Sequence, residues 1–402
     1  MGRSLAGLLS QWPGERLAQL YLHSSLPDSS VCSRYYRLSD TDALWGCFSR
    51  KRTGTAIDGC AAGDAVQRQQ QYTSLRSPFT MSLRDRMWRA SRWDRQPLLD
   101  WIREFSPDVI LFAAGDCPFA YRITGELAQS LSLPVVVITY DDYFSDQAME
   151  KGFWDRKNKA RVCEEMRRLT ARTSAILTIC EQMSEEYRAM FGVPCYEIHT
   201  VSSAMPVPGE QTDRILYAGN VGLGRWKQLV CIGEALHRIS GGRVTVCSQD
   251  VSPEVQRAFD ACPGIDYRGA KPYSEIQELM VTSRLLIHTE SFDPDLSRRV
   301  RLSVSTKIAD SLASGVCLFA YGPGAVASVR YLRDNDAACV ADERSDLEET
   351  LARILNSAEE RARLVRNARA LAQKNHSGGS KEVLRRAVCQ ACGVEDGSVA
   401  EC

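Results

Sequence analysis

The sequence has no apolar run long enough to cross a membrane and no excess of charge of either sign. A transmembrane helix needs roughly 20 consecutive apolar residues, and no such run occurs in the 402 residues. Lysine plus arginine number 50, as do aspartate plus glutamate, so the whole-chain charge argues against a dedicated nucleic-acid binder. The length exceeds one comfortable hydrophobic core and predicts two domains.

Signatures of zinc, disulfide and dinucleotide-binding proteins are also scarce. Cys389 and Cys392 form a single CxxC pair, whereas structural zinc normally takes four ligands. Most of the 15 cysteines lie in apolar runs, as Cys247 and Cys317 do, which indicates a reduced, cytoplasmic protein. The glycines at 219–224 follow G-x-x-G-x-G and not the dinucleotide pattern G-x-G-x-x-G, so a nicotinamide enzyme is disfavoured.

The stretch 285–324 has the pattern of a βαβ unit. Its first residues predict a buried strand. Ser305 and Thr306 then offer N-cap oxygens to a helix, and Lys307 and Asp310 fall on the polar face of that helix. Ligands of open α/β sheets bind at the carboxyl ends of the strands, so we expect this polar face to meet a ligand.

Strands and helices alternate in both halves of the chain, which predicts an α/β protein with two parallel sheets. A segment with two prolines and a glycine, at 206–213, separates the halves. We therefore expect one domain at 1–205, a second at 214–376, and a C-terminal tail at 377–402.

The first domain lacks the strand with which a doubly wound domain normally begins. A helical pattern at 4–12 opens the sequence, and the first strand pattern, at 17–23, comes after it. The polar stretch 31–73 predicts loop with short broken elements. Either the domain begins upstream of this sequence or it does without that strand, and we favour the upstream start.

Seven arginines and three tryptophans lie between Arg76 and Arg103, against three acidic residues. Arginine with tryptophan suits an interfacial helix on an anionic membrane, as a peripheral contact. The alternative is a solvated helix whose tryptophans pack on the sheet while the arginine stems lie along its flank. The tryptophans are Trp88, Trp93 and Trp101.

The glycine loop is a candidate phosphate site. Gly219 and Gly222, with Asn220 between them, let the backbone approach a diphosphate, and the start of the following helix adds a partial positive charge. Arg225 and Lys227 supply two formal cations at the same place. Such groups stabilise the charge that develops on a leaving diphosphate. The alternative is a pair of solvated surface cations.

The stretch Thr306–Gly315 resembles the K-x-x-E-x-x-A-x-G motif of the group 1 glycosyltransferases, and the similarity covers most of 215–376 and, more faintly, the first half. The resemblance implies the GT-B fold, in which two Rossmann-like domains face a cleft. The second domain then binds a nucleotide-sugar donor and the first an acceptor, and a terminal helix crosses back onto the first domain. The nucleotide sugar is a substrate, and the resemblance implies neither a cofactor nor a metal.

The resemblance also implies roles for individual residues. Asp310 stands where the family's glutamate holds the donor ribose, with a surface ion pair to Lys307 as the alternative. Glu290 resembles the acidic residue that faces the donor sugar, with pairing to the loop arginines at 298–301 as the alternative. The expected catalytic set is Arg225, Lys227 and Glu290, and the expected donor-binding set is Gly219, Asn220, Gly222, Ser305, Thr306, Lys307 and Asp310.

Carboxylates at predicted strand ends mark the acceptor side of the first domain. Asp116 follows the strand pattern at 107–114, and Asp141 and Asp142 follow that at 133–139. We expect one of these carboxylates to contact acceptor hydroxyls. The alternative is a capping role in a loop.

The resemblance thus predicts transfer of a sugar from a nucleotide sugar to a saccharide or lipid-linked acceptor, with retention and without a metal, in surface polysaccharide biosynthesis. Fold alone does not settle the reaction. A GT-B-fold sugar-nucleotide epimerase and a catalytically silent subunit that supports an active partner are the two alternatives. The aspartate at 310, where the family has glutamate, keeps the silent subunit open.

Overall fold

The computed structural model describes residues 2–22, 31–32, 34–48, 54–58, 77–145, 152–207, 209–249 and 251–394. The chain folds into two compact units. The described residues of the first are those up to 145, 152–197 and 381–394, and those of the second lie between 198 and 380. Several sequence predictions lie wholly or partly outside the described residues: His23, most of 31–73, Arg76, Pro208 and the tail beyond 394.

The first unit contains seven strands and eight helices of the described chain. The strands are β1 (Ala18–Tyr21), β2 (Arg34–Arg37), β3 (Thr55–Asp58), β4 (Ile110–Ala113), β5 (Val135–Ile138), β6 (Thr173–Thr178) and β7 (Cys195–Glu197). The helices are α1 (Gly2–Leu9), α2 (Asp40–Gly46), α3 (Pro78–Ala90), α4 (Gln96–Phe105), α5 (Pro118–Leu131), α6 (Phe153–Leu169), α7 (Glu181–Phe191) and, from Lys381 onward, α16 (Gly379–Ala391).

The strands of the first unit form two sheets. Strands β4 to β7 pair in chain order and in parallel. All four residues of β5 are buried, as expected for an inner strand of a sheet covered on both faces. Strand β1 pairs in parallel with β2, and β2 pairs antiparallel with β3. Among the described strands β1 is therefore an edge, and the predicted helix and strand at the start of the chain appear as α1 and β1.

The arginine- and tryptophan-rich segment forms two helices, α3 and α4, and its tryptophans belong largely to the core. Trp88 and Trp93 are 4% and 5% exposed. Trp88 stacks on Phe119 with the ring centroids 4.5 Å apart, and its indole N–H donates to Asp40 Oδ1 at 2.7 Å. The tryptophans therefore pack inward, as in the alternative predicted from the sequence, but the partners of Trp88 lie on helices α5 and α2 and not on a sheet.

The second unit contains six strands and eight helices of the described chain. The strands are β8 (Ile215–Ala218), β9 (Val244–Cys247), β10 (Ile265–Tyr267), β11 (Leu285–Thr289), β12 (Cys317–Tyr321) and β13 (Cys339–Ala341). The helices are α8 (Arg225–Ser240), α9 (Pro253–Ala261), α10 (Tyr273–Thr282), α11 (Pro294–Arg299), α12 (Lys307–Ala313), α13 (Ala327–Asp334), α14 (Leu347–Asn356) and α15 (Ala358–Asn375).

The six strands of the second unit form one parallel sheet in the order β10-β9-β8-β11-β12-β13. The chain adds β9 and β10 on one side of β8 and then returns to build β11 to β13 on the other side. The strand order therefore reverses between β8 and β11. In open α/β sheets such a switch point opens the crevice in which ligands bind, at the carboxyl ends of the strands.

The segment 198–207 is held by the second unit, whereas the sequence predicts the linker at 206–213. The Ser202 N–H donates to the His376 carbonyl at 2.8 Å, and the Ser203 N–H donates to Asp310 Oδ1 at 2.9 Å. These two hydrogen bonds thus hold the segment to the second unit ahead of the prolines. No helix in the described part of the chain is long and apolar enough to span a bilayer.

Helix α8 packs against the turn before β10 without room for a side chain. A Cβ atom at Gly233 would lie 2.9 Å from the Gly264 carbonyl oxygen, and a Cβ at Gly264 would overlap the backbone of Gly233. The two glycines therefore allow the backbones to touch. This contact seats α8, whose first residue is Arg225, on the sheet.

We predict that Gly264→Ala lowers the free energy of unfolding by about 1–3 kcal/mol, the usual cost of overpacking, because neither backbone can move away without lifting α8. Urea denaturation measures the change. Gly378→Ala is the matched control, since a Cβ there meets nothing within 4 Å, and it should change stability by less than about 0.5 kcal/mol. Equal stability of the two variants would contradict the packing account.

Candidate functional site

A buried ion pair lies at the switch point of the second unit. Glu290 follows β11, and Arg225 is the first residue of α8. The guanidinium donates from Nε to Glu290 Oε2 at 2.9 Å and from Nη2 to Oε1 at 3.0 Å. The side chain of Glu290 is 4% exposed and that of Arg225 19%. Both carboxylate oxygens are engaged in a planar, two-bond arrangement, the strongest form of such a pair.

Burial shifts the pKa values of groups in and beside this ion pair. Burial raises the pKa of Glu290, and the Arg225 guanidinium opposes that rise. Burial, followed by the charges of Arg225 and Lys307, lowers the pKa of His288 to about 3. His288 is therefore neutral at physiological pH, and its Nε2 lies 3.1 Å from Ser328 Oγ.

Lys307 brings a second cation to the same place. Its ammonium lies against the backbone of Gly219, so closely that a Cβ at that position would overlap it. The surrounding protein, and then the charge of Arg225, lower the pKa of Lys307 to about 8. The residue as a whole nevertheless keeps an exposed surface.

Lys227, by contrast, is turned away from this cluster. It is exposed, and its ammonium lies 5.5 Å from the centroid of the Trp226 ring. The structure thus separates the two cations that the sequence predicts as a pair, Arg225 and Lys227. Lys307 lies 80 positions after Lys227, as the first residue of α12. It is the cation whose charge interacts with that of Arg225.

The glycine loop between β8 and α8 is ordered by its own polar groups. Asn220 Oδ1 accepts the N–H of Gly222 at 2.6 Å, and the Tyr217 hydroxyl donates to the Asn220 carbonyl at 2.7 Å. Gly224 caps α8 with φ +74°, a conformation that favours glycine. The loop therefore presents Gly219 and its backbone beside Lys307, at the positive end of the α8 dipole.

Asp310 already has two partners in this structure. Its Oδ2 accepts from the Tyr273 hydroxyl at 2.6 Å, and its Oδ1 from the Ser203 N–H at 2.9 Å. No ion pair joins Asp310 to Lys307 among the residues that the structure describes. The surface-pair alternative therefore does not apply, and the carboxylate is held by the segment that enters the second unit.

Ser305 and Thr306 stand at the start of α12, next to Lys307. Thr306 is exposed and makes no side-chain capping bond. The carbonyl of Ser305, not its hydroxyl, accepts the N–H of Ile308 at 3.1 Å. The predicted N-cap role is therefore wrong for Thr306, because its helical backbone (φ −59°, ψ −21°) does not have the extended conformation of a capping residue.

The predicted acceptor-side carboxylates lie in the first unit and differ in their surroundings. Asp142 Oδ1 accepts from the Tyr187 hydroxyl at 2.9 Å and from the Ser145 N–H at 2.9 Å, so it orders the turn after β5. Asp141 is exposed, and the Tyr143 hydroxyl lies 3.5 Å from its Oδ2. Asp116, half-buried after β4, and Asp141 both raise the pKa of Tyr143, after burial as the main cause.

Sequence reasoning missed three residues of the site, and only one of them has a local sequence signal. His288 lies two positions before Glu290, and alternation along a strand places both side chains on one side. Ser328 and Tyr273 have no such local signal, since only the tertiary fold brings them to His288 and Asp310. The hydrogen bonds to the Glu290 carboxylate come from Arg225, and the loop residue Arg298 pairs with Asp295 in α11.

A metal site is not evident in the part of the chain that the structure describes. No group of three or more His, Cys, Asp or Glu side chains suited to hold a metal occurs among the described residues. The only carboxylate of the cluster, Glu290, has both oxygens on Arg225.

Comparisons with known proteins agree with this architecture. Residues 227–380 match the family model described as glycosyl transferase-like. The matched range contains Glu290, Lys307 and Asp310. None of the curated protein sequences compared with the chain matches it. The sequence resemblance to group 1 glycosyltransferases is confirmed by the family match in the second half and by the fold.

Solved structures share the fold at low sequence identity. Sucrose-phosphate synthase from Thermosynechococcus elongatus aligns over 97% of this chain and 92% of its own, with TM-score 0.59 and 10% identity. HepE from Anabaena, in complex with UDP, aligns over 93% of this chain and 100% of its own, with TM-score 0.55 and 12% identity. These likenesses confirm the expected α/β GT-B fold.

A third structure is that of a TarM variant from S. aureus in complex with fondaparinux, α-GlcNAc-glycerol and UDP. It aligns over 73% of this chain, with TM-score 0.54 and 12% identity. This chain spans 58% of the length of that TarM chain and 57% of a second TarM structure.

We predict that Arg225→Met lowers the free energy of unfolding by about 3 kcal/mol at neutral pH, because Glu290 is left as a buried charge without its partner. Its pKa then rises further above the unfolded-state value. The penalty should therefore grow as pH rises from the unfolded-state pKa of Glu290 to its raised folded-state pKa. It should nearly vanish near pH 4, where the carboxyl group is protonated in both states. Thermal unfolding across this pH range measures it.

The double variant Arg225→Met with Glu290→Met is the control, since it removes both charges and should regain most of the lost stability. If the single and double variants are equally destabilised, and without dependence on pH, the buried ion pair is not what holds this site.

Proposed function

We propose that this chain, with its GT-B fold and glycosyl transferase-like second half, is a glycosyltransferase that moves a sugar from a nucleotide-sugar donor to a saccharide or lipid-linked acceptor. The observation that carries the proposal is the meeting of two cations, Arg225 and Lys307, at the sheet's switch point beside a glycine loop. This arrangement suits a diphosphate, which carries its negative charge on oxygens spread over a few ångströms.

The chemistry of sugar transfer explains why two cations are useful here. When the bond between the anomeric carbon and the diphosphate oxygen breaks, negative charge builds up on the leaving nucleoside diphosphate. Fixed positive groups already in place stabilise that charge more in the transition state than in the ground state. Arg225 is held in position by Glu290, so it needs no reorganisation when the charge develops.

The donor is proposed to be a uridine nucleotide sugar. The HepE and TarM structures that share this fold contain UDP, and this supports the choice of base. In this proposal Asp310 holds the ribose, as the family resemblance implies. Ribose hydroxyls would then replace the Tyr273 hydroxyl or the Ser203 N–H as donors to its carboxylate, which Asp310 can accept without a change of charge.

Retention of the anomeric configuration is proposed from the family resemblance, and the state of Glu290 favours one of the two retaining mechanisms. A double displacement needs a free carboxylate as nucleophile, whereas both oxygens of Glu290 are engaged by Arg225. A front-face transfer needs none. The acceptor oxygen bonds to the anomeric carbon on the side that the diphosphate leaves, and the acceptor proton passes to a leaving phosphate oxygen. Asp116 and Asp141 are proposed to contact acceptor hydroxyls. The reaction is proposed to need no metal and to serve polysaccharide synthesis in the cytoplasm.

We predict that Lys307→Met weakens UDP binding by about 10- to 100-fold, the loss of a charge-assisted hydrogen bond of about 1.5–3 kcal/mol. Lys227→Met is the matched control, because it removes the same charge from an exposed position and should change the affinity less than about twofold. Calorimetry with UDP, GDP and ADP measures both. Equal effects of the two variants would remove Lys307 from the site, and no binding of any nucleotide to the wild type would favour the silent subunit.

We predict that UDP affinity falls as pH rises above about 8. The pKa of Lys307 is about 8 in the free protein, and a bound diphosphate should raise it. Below pH 8 the ammonium is charged in both states, so the affinity is level. Above pH 8 binding must first restore the proton, so the affinity declines by up to about tenfold per pH unit. Lys307→Arg keeps its charge at high pH and should flatten the profile, and an equally steep decline in that variant would contradict the assignment.

A further inference from the structure

Residues 203–205 follow shortly after the chain enters the second unit at residue 198, and they lie against α10 and α12 of that unit. We call them the strap. The Ser203 N–H donates to Asp310 Oδ1 at 2.9 Å, and the Tyr273 hydroxyl donates to Asp310 Oδ2 at 2.6 Å. The same hydroxyl lies 2.8 Å from Ser203 Oγ. A closed ring of three polar contacts thus joins the strap to the first residue of α10 and to the middle of α12.

This ring gives each oxygen of Asp310 a donor from the protein itself. A vicinal diol binds a carboxylate in the same pattern, with one hydroxyl on each oxygen. The Tyr273 hydroxyl and the Ser203 N–H therefore make the contacts that the two ribose hydroxyls would make. A ribose can either add to these donors or replace them, and the two modes predict opposite effects when the Tyr273 hydroxyl is removed.

The residues before the strap have an anchor that does not include the ring. The Nδ1 of His376 lies 2.7 Å from the Thr200 carbonyl oxygen. The His376 carbonyl accepts from the N–H and from the hydroxyl of Ser202, at 2.8 and 3.1 Å, and His376 is 1% exposed. On the other side of the ring, the Gln277 side chain donates to the Ala204 carbonyl at 3.0 Å. Breaking the ring would therefore loosen the strap and leave the residues before it in place.

We propose that Tyr273 and Ser203 occupy Asp310 in place of the ribose, and that donor binding exchanges them for the ribose diol and releases the strap from Asp310. The inference rests on the proposed donor site, in which Asp310 holds the ribose. The exchange leaves no buried polar group unpaired, which would otherwise cost affinity. Ser203 is exposed, so water can take over its N–H, and the Tyr273 hydroxyl can keep Ser203 Oγ as a partner.

Self-occupation determines how much a ligand gains from Asp310. A ribose trades two donors for two donors, so its net gain in binding free energy is small. A nucleotide without the diol leaves the ring closed and gains nothing at this carboxylate. Removal of the Tyr273 hydroxyl should therefore strengthen the binding of ribose. If the hydroxyl served instead to orient the carboxylate, its removal would weaken that binding.

Calorimetry with UDP and with 2′,3′-dideoxyuridine diphosphate, which lacks the diol, tests the exchange. Tyr273→Phe should bind UDP about tenfold more tightly than the wild type, because a hydrogen bond to a charged group no longer has to be broken. Its affinity for the dideoxy nucleotide should equal that of the wild type. Tyr267→Phe is the matched control, since that hydroxyl donates to the Gln249 carbonyl at 3.2 Å, and it should leave both affinities unchanged. Circular dichroism melting confirms that each variant folds.

Hydrogen exchange of the wild type, resolved to single amides by mass spectrometry, gives a second readout that needs no variant. Saturating UDP should speed the exchange of the Ser203 amide, because its acceptor on Asp310 is taken by the ribose. The Ser202 amide, which His376 holds, should keep its protection. Saturating dideoxy nucleotide should change neither amide.

Several results would overturn the exchange and leave the donor proposal standing. They are UDP binding by the wild type without a ribose-specific gain in Tyr273→Phe, weaker UDP binding by that variant, and unchanged or slower exchange of the Ser203 amide in the UDP complex. Failure of the wild type to bind UDP would overturn both this inference and the proposed uridine donor.

Discussion

The ion pair between Arg225 and Glu290 is the contact on which the candidate site depends. It joins the first residue of α8 to the end of β11, two elements on either side of the switch point. A buried carboxylate is costly unless it is paired and hydrogen-bonded, and here both of its oxygens are. The same pairing fixes a guanidinium whose charge acts on Lys307, so a structural requirement of the carboxylate also brings two cations together.

Sheet topology explains why these groups meet although they are far apart in sequence. Strands β8 and β11 are neighbours only because the chain builds outward through β9 and β10 and then returns. The glycines at 219, 233 and 264 allow close approaches at Lys307 and between α8 and the sheet. The missing side chains at these three positions thus let Lys307 lie against the glycine loop and let α8, which begins at Arg225, lie close to the sheet.

Much of this fold is predictable from the sequence, because buried parallel strands are continuous apolar runs and helices have periodic ones. The βαβ unit at 285–321 and its polar helix face follow from such local patterns. The cation beside Arg225 is not predictable in this way. Lys227 and Lys307 are equally good cations in sequence, and only the rotation of α8 turns Lys227 outward. The tryptophans of α3 and its neighbour illustrate the same limit, since Trp88 faces Phe119 while Phe79 and Leu83, on another face, are exposed.

The most direct test of the central claim is a crystal structure of the protein with UDP bound. The account predicts diphosphate oxygens within hydrogen-bonding distance of both Arg225 and Lys307, with the Arg225–Glu290 pair intact and the ribose at Asp310. A diphosphate bound elsewhere, or one that contacts Lys227 and leaves Lys307 free, would contradict it.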